Sequence, residues 1–78
     1  MLEKKYLDRV KREADKILKR SSDIQIVAKY RENDAKYKDA VVSDEAVGLT
    51  EGYYITREAY RMAAHARGYT DDVLEERK

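Results

Sequence analysis

From Leu2 to Arg20 the apolar residues recur at three- and four-residue steps. Tyr6 and Leu7, Val10, Ala14, and Ile17 and Leu18 fall on one stripe, and charged side chains occupy the rest. This is the period of an amphipathic helix, expected over residues 2–20 and ended by Ser21-Ser22. Lys16, Lys19 and Arg20 lie in its last turns, where cations suit the helix dipole. On the outer face Asp8 with Arg12, Lys11 with Asp15, and Asp15 with Lys19 have the spacing of ion pairs.

The pattern then changes. Ile24, Ile26, Ala28 and Tyr30 alternate with Gln25, Val27, Lys29 and Arg31, and a second alternating run covers Lys36 to Val42. Period two with Asn33-Asp34 between the runs predicts a β-hairpin over residues 23–43, because Asn and Asp suit tight turns. A loop of Asn33-Asp34, or of Glu32 to Ala35, sets one register. Tyr30 faces Tyr37, Ile26 faces Val41 and Ala28 faces Asp39. On the other side Arg31 meets Lys36, Lys29 meets Lys38, and Val27 meets Ala40. Like charges directly opposed destabilise a strand pair. The pattern therefore calls either for an anionic partner or for a solvated, salt-screened edge.

Residues 44–55 contain Gly48 and Gly52 as turn signals and read as a loop or a short third strand. Thr56 reads as an N-cap for a helix over residues 56–67, with Ile55 and Tyr60 at the spacing of a hydrophobic staple. Gly68 ends that helix. Thr70 caps a short acidic helix within residues 70–78, running from Asp71 to about Arg77, with Tyr69 and Leu74 repeating the staple spacing. Residues 1–78 are thus expected to form one small α+β domain: helix, hairpin, irregular segment, helix, short helix. The two long helices are expected to pack on one face of the hairpin.

Composition narrows the chemistry. Seventy-eight residues are near the lower size for a self-sufficient core, and the chain has no cysteine to reinforce it. All seven aromatic residues are tyrosine, a type that suits half-buried and interfacial positions. A thin core margined by tyrosine favours a homodimer slightly over a monomer. Charge matters by its distribution: 17 basic and 16 acidic residues nearly cancel, yet the first helix is basic and the last acidic. No apolar run has membrane-spanning length, and Met1-Leu2-Glu3 does not resemble a signal peptide, so a cytoplasmic protein without a membrane partner is expected.

No catalytic, cofactor or metal site is expected. The acidic pair Asp44-Glu45 lacks a neighbouring histidine or nucleophile, His65 is the single histidine, and no glycine-rich phosphate loop or serine elbow occurs. Ala64, Gly68 and Leu74 have helix-turn-helix spacing. However, the second helix opens on Asp71-Asp72, where phosphates would be met, so a plain αα-corner is expected.

The first functional expectation is a non-enzymatic protein-binding module: a small regulator, inhibitor or assembly adaptor. Its partner-facing residues would be Lys29, Arg31, Lys36, Lys38, Tyr53 and Tyr54. Chains of this size without chemistry are often encoded by phages or mobile elements, an expectation from size alone. The alternative is sequence-tolerant nucleic-acid binding by the hairpin's basic face and by Lys5, Arg9, Arg12, Lys16 and Lys19 of the first helix.

Overall fold

The computed structural model describes residues 4–43 and 47–75. Four helices run in order: α1 (Lys4–Arg20), α2 (Asp23–Val42), α3 (Val47–Ala66) and the single turn α4 (Asp71–Leu74). Among the described residues there is no strand, so the α+β class and its hairpin are overturned in favour of an all-helical fold. Asp44-Glu45 lies outside the described residues, as does Arg77.

The segment expected to be a hairpin is one unbroken helix. Its start is written in Ser22-Asp23-Ile24-Gln25. The Ser22 hydroxyl accepts from the Gln25 amide at 3.3 Å, and the Gln25 side chain accepts from the Ser22 amide at 2.9 Å. This reciprocal capping box satisfies two donors that a helix start leaves open. Its buried residues are Ile26, Tyr30, Asn33 and Ala40, a three-and-four spacing that the period-two reading misses. Asn33, expected in a turn, is buried and donates from Nδ2 to the Lys29 carbonyl at 2.9 Å.

Helix α3 also begins earlier than expected. Thr56 is interior, and its hydroxyl donates to the Gly52 carbonyl at 2.9 Å instead of capping. Both Gly48 and Gly52 are helical. The corner that follows matches the sequence reading. Gly68 adopts φ +91°, and the Tyr69 amide reaches back to the Ala64 carbonyl at 3.0 Å. The Thr70 side chain then caps α4 through the Val73 amide.

Helix α3 is the centre of the fold, packed against both α1 and α2. One cluster joins Val10 to Ile55 and Ala59, with Tyr6, Ile17 and Met62 around it. The other joins Ala14, Ile26, Tyr30, Ala63, Ala64 and Leu74. Alanines at 59, 63 and 64 are wholly buried, which lets the neighbouring helices approach closely. Half of the buried apolar side chains are alanine, and the largest fully buried ones are Tyr30, Ile26, Leu74 and Val10.

The glycines provide a test with opposite signs. A Cβ at Gly52 meets nothing within 4 Å. Gly52→Ala should therefore raise stability by about 0.5–1 kcal/mol, the helix-propensity difference. Gly68→Ala should lower it by about 1–2 kcal/mol, the cost of a left-handed residue with a side chain. Urea midpoints read both. A loss at Gly52→Ala would mean that residue 52 sits in a turn.

Candidate nucleic-acid interface

Three groups of cations among the described residues differ in what already holds them. In α2, Lys29 and Lys36 reach Glu32 at 3.1 and 3.2 Å, and Lys38 reaches Asp34 at 3.0 Å. All three are pairs at helical spacing. Lys29 and Lys36 hold the Glu32 carboxyl below its ordinary range, through hydrogen bonds first and charge second. At about 100° per residue, Lys29 and Lys36 lie on one side of α2, while Arg31 and Lys38 lie on the other. The like-charge pairs of the expected hairpin do not exist, and the four side chains share no face.

The second group is arginines built into the fold. Arg31 donates to the Val73 and Leu74 carbonyls at 2.8 and 3.2 Å, tying α4 to α2. Arg67 donates to the Leu18 carbonyl at 2.9 Å and pairs with Asp23, which also accepts from the Tyr69 hydroxyl. The end of α3 therefore clamps the corner between α1 and α2. Burial first, and the Asp23 charge second, push the Tyr69 hydroxyl above its ordinary range.

The Arg57 guanidinium packs over two tyrosine rings, 4.5 Å from the centre of Tyr37 and 5.1 Å from that of Tyr54, and bonds Asp34 at 3.1 Å. The rings of Tyr37 and Tyr54 are 5.5 Å apart. Tyr37 therefore meets Tyr54 of α3 and not Tyr30, which lies two turns away on the same helix. Tyr30 is buried and accepts from Arg61 at 2.8 Å. Tyr53 is half-buried on α3.

Arg61 also pairs with Glu58 at 3.3 Å, and Asp71 lies 3.7 Å from its Nε. His65 finds a carboxylate that helical spacing does not reveal, with Nε2 2.8 Å from Asp71 Oδ1 across the αα-corner. A cavity of about 150 Å³ lined by Val10, Glu58, Arg61, Met62 and His65 adjoins this network; Glu58 accepts from Arg61 Nη1, while the buried Arg61 Nε has no hydrogen-bond partner among the described residues. Among the described residues no group of three or more His, Cys, Asp or Glu could hold a metal ion.

Asp34 gives this seam a pH dependence. Burial pushes its carboxyl upward, but hydrogen bonds from Lys38 and Arg57 outweigh burial and hold it below the usual range. A depressed folded pKa stabilises the fold above the unfolded value, about 3.9, and that contribution is lost as pH falls through the folded one. Urea midpoints at pH 6 and near pH 3 should therefore differ less in Asp34→Asn than in the parent. An equal acid loss in both would remove Asp34 from the explanation.

The third group is different. Helix α1 contains eight basic and three acidic side chains, against +1 for the whole chain. Lys5, Arg9, Arg12, Lys16 and Lys19 are all exposed. Their spacing places them within an arc of about 80°, opposite the face that buries Val10 and Ala14. The stripe is about 21 Å long at 1.5 Å per residue. Lys16 reaches Glu13 at 3.6 Å, and Lys5 lies 4.9 Å from the Tyr6 ring centre. Among the described residues Arg9, Arg12 and Lys19 have no carboxylate within ion-pair distance, so the pairs expected of Asp8 and Asp15 with Arg12 and Lys19 do not form.

The five first-helix residues chosen from sequence are thus brought into one row. The six expected to face a protein partner are dispersed over α2 and α3. What sequence reasoning missed is the seam of Asp34, Arg57, Glu58, Arg61 and Asp71, whose members lie on three helices. No helix among the described residues is long and apolar enough to cross a membrane. No family model, curated protein or solved structure matches the chain.

Proposed function

We propose that this protein is a cytoplasmic, non-enzymatic module that binds nucleic acid through the outer face of α1, with little dependence on base sequence. One observation carries the reading: a continuous row of five exposed cations, on the helix holding the chain's excess positive charge. On the other helices, among the described residues, Lys29, Lys36 and Lys38 pair with α2 carboxylates and Arg31, Arg57, Arg61 and Arg67 are held by contacts of the fold. A protein-binding regulator docked through a basic hairpin face loses its support, because that face is absent.

Phosphate contact by five cations should make binding salt-dependent. The expected log–log slope is about −4.5, or roughly a 500-fold loss of affinity between about 50 and 200 mM salt. Fluorescence anisotropy of labelled nucleic acid across that range measures it. Absence of binding at the low end sinks the reading, and preferential capture of an acidic polypeptide would reassign the stripe to a protein.

A further inference from the structure

We propose that the favoured ligand is a duplex, gripped along its backbone and not read inside a groove, with single strands bound less well. This rests on the nucleic-acid reading of α1 and adds the class of ligand.

Proteins that hold single strands combine a basic channel with aromatic platforms on which successive bases stack. The α1 face has no such platform. Tyr6, the aromatic residue of that helix, is half-buried against the cluster of Val10, Ile55 and Ala59. Tyr30, Tyr60 and Tyr69 belong to the other core cluster. Tyr37 and Tyr54 are held together with Arg57 between α2 and α3, and Tyr53 lies on α3. No aromatic platform remains on the outer surface of α1, and its cations form a ridge and not a channel. A ridge of charge gains most from the ligand of highest charge density. A duplex presents one phosphate per about 1.7 Å of axis, counting both strands, and returns more counterions per contact than a single strand does.

The acidic residues of α1 decide how the helix lies. Asp8 and Asp15 fall along one edge of the basic row, and Glu13 falls along the other. A helix of about 10–12 Å diameter fills a major groove about 12 Å wide. Seated there, α1 would point its cations at the base edges and turn Asp8, Asp15 and Glu13 toward the phosphate walls. That arrangement sets these carboxylates against phosphates on both sides, with Lys4 and Lys11 farther round one edge and Arg20 beside Glu13 on the other. Laid on the backbone instead, the central row meets phosphates and the acidic edges face solvent. The 21 Å row then spans roughly six base pairs at about 3.4 Å each, with no base contacted.

The experiment uses the full chain and four kinds of labelled probe. These are two short DNA duplexes of unrelated sequence, an RNA duplex, the separated strands of all three, and polyglutamate as the non-nucleic polyanion. Anisotropy titrations at about 50 mM and 200 mM salt are compared. The two DNA duplexes should bind within about twofold of each other and at least tenfold more tightly than either strand, with a slope near −4.5. The RNA duplex should exceed its strands as well, since only backbone is held. Single strands bound as tightly as duplexes would overturn this inference while leaving the nucleic-acid reading standing. So would a tenfold preference for one duplex sequence. No binding to any nucleic acid at low salt, or tighter binding to polyglutamate, would overturn both.

Discussion

Ala35→Pro is expected to destabilise the protein by about 3 kcal/mol or more, the cost of proline inside a helix. Residue 35 is exposed on α2, so its side chain contributes little packing and the effect comes from the backbone. Proline removes the amide that bonds the Arg31 carbonyl one turn earlier, and its ring collides with that carbonyl. It also disfavours helical geometry at the preceding residue, and that residue is Asp34, which Arg57 and Lys38 hold at 3.1 and 3.0 Å. A domain of this length has roughly 4–12 kcal/mol of total stability at 0.05–0.15 kcal/mol per residue. The variant should therefore melt far earlier, with a reduced helical signal at room temperature. In a hairpin with a Glu32-to-Ala35 loop the same substitution would be nearly harmless. An unchanged urea midpoint would sink the helical description of α2.

That contrast shows where the sequence was ambiguous. Ile24, Val41 and Val42 give the strand pattern much of its apolar content, yet they are 83%, 53% and 85% exposed. Asn33 interrupts the helical stripe with a polar residue, and it is buried. With apolar residues outside and a polar one inside, hydrophobic periodicity pointed to the wrong element. Other signals were present and favoured a helix. The Ser22-to-Gln25 capping box opens a run to Val42 without glycine or proline, and Glu32 with Lys36 and Asp34 with Lys38 stand four residues apart. The opposed lysines of the supposed hairpin were themselves a conflict between local and global structure, of the kind natural sequences avoid.

Where pattern and caps agreed, the reading held. Helix α1 was expected over 2–20 and is described from Lys4 to Arg20; Gly68 and Thr70 shape the last corner as their residue types require. Gly52 misled for a different reason: a helix tolerates glycine at a cost of about 1 kcal/mol, and the surrounding contacts of α3 exceed that cost. The arginine seam was beyond sequence reasoning. Arg57 finds Asp34 and Arg67 finds Asp23 across 23 and 44 positions of chain, and such pairs follow only from how the helices pack. The basic row was legible because it depends on one helix alone.

The same logic isolates the row experimentally. Arg9→Gln, Arg12→Gln and Lys16→Gln together should leave folding nearly intact, since all three side chains are exposed and glutamine is a good helix former. Binding should change greatly. Three of five phosphate contacts are removed, so the log–log salt slope should fall from about −4.5 to about −1.8. The comparison is Lys29→Gln, Lys36→Gln and Lys38→Gln, which deletes the same formal charge from α2. Those lysines already pair with Glu32 and Asp34 at 3.0–3.2 Å, closer than Lys16 lies to Glu13 at 3.6 Å, so they have fewer phosphate contacts to lose and the slope should stay near its parent value. If net charge alone drove association, the two triple variants would weaken binding equally. Equal slopes in both would remove α1 as the interface, whereas a drop confined to the first variant ties the affinity to its outer face.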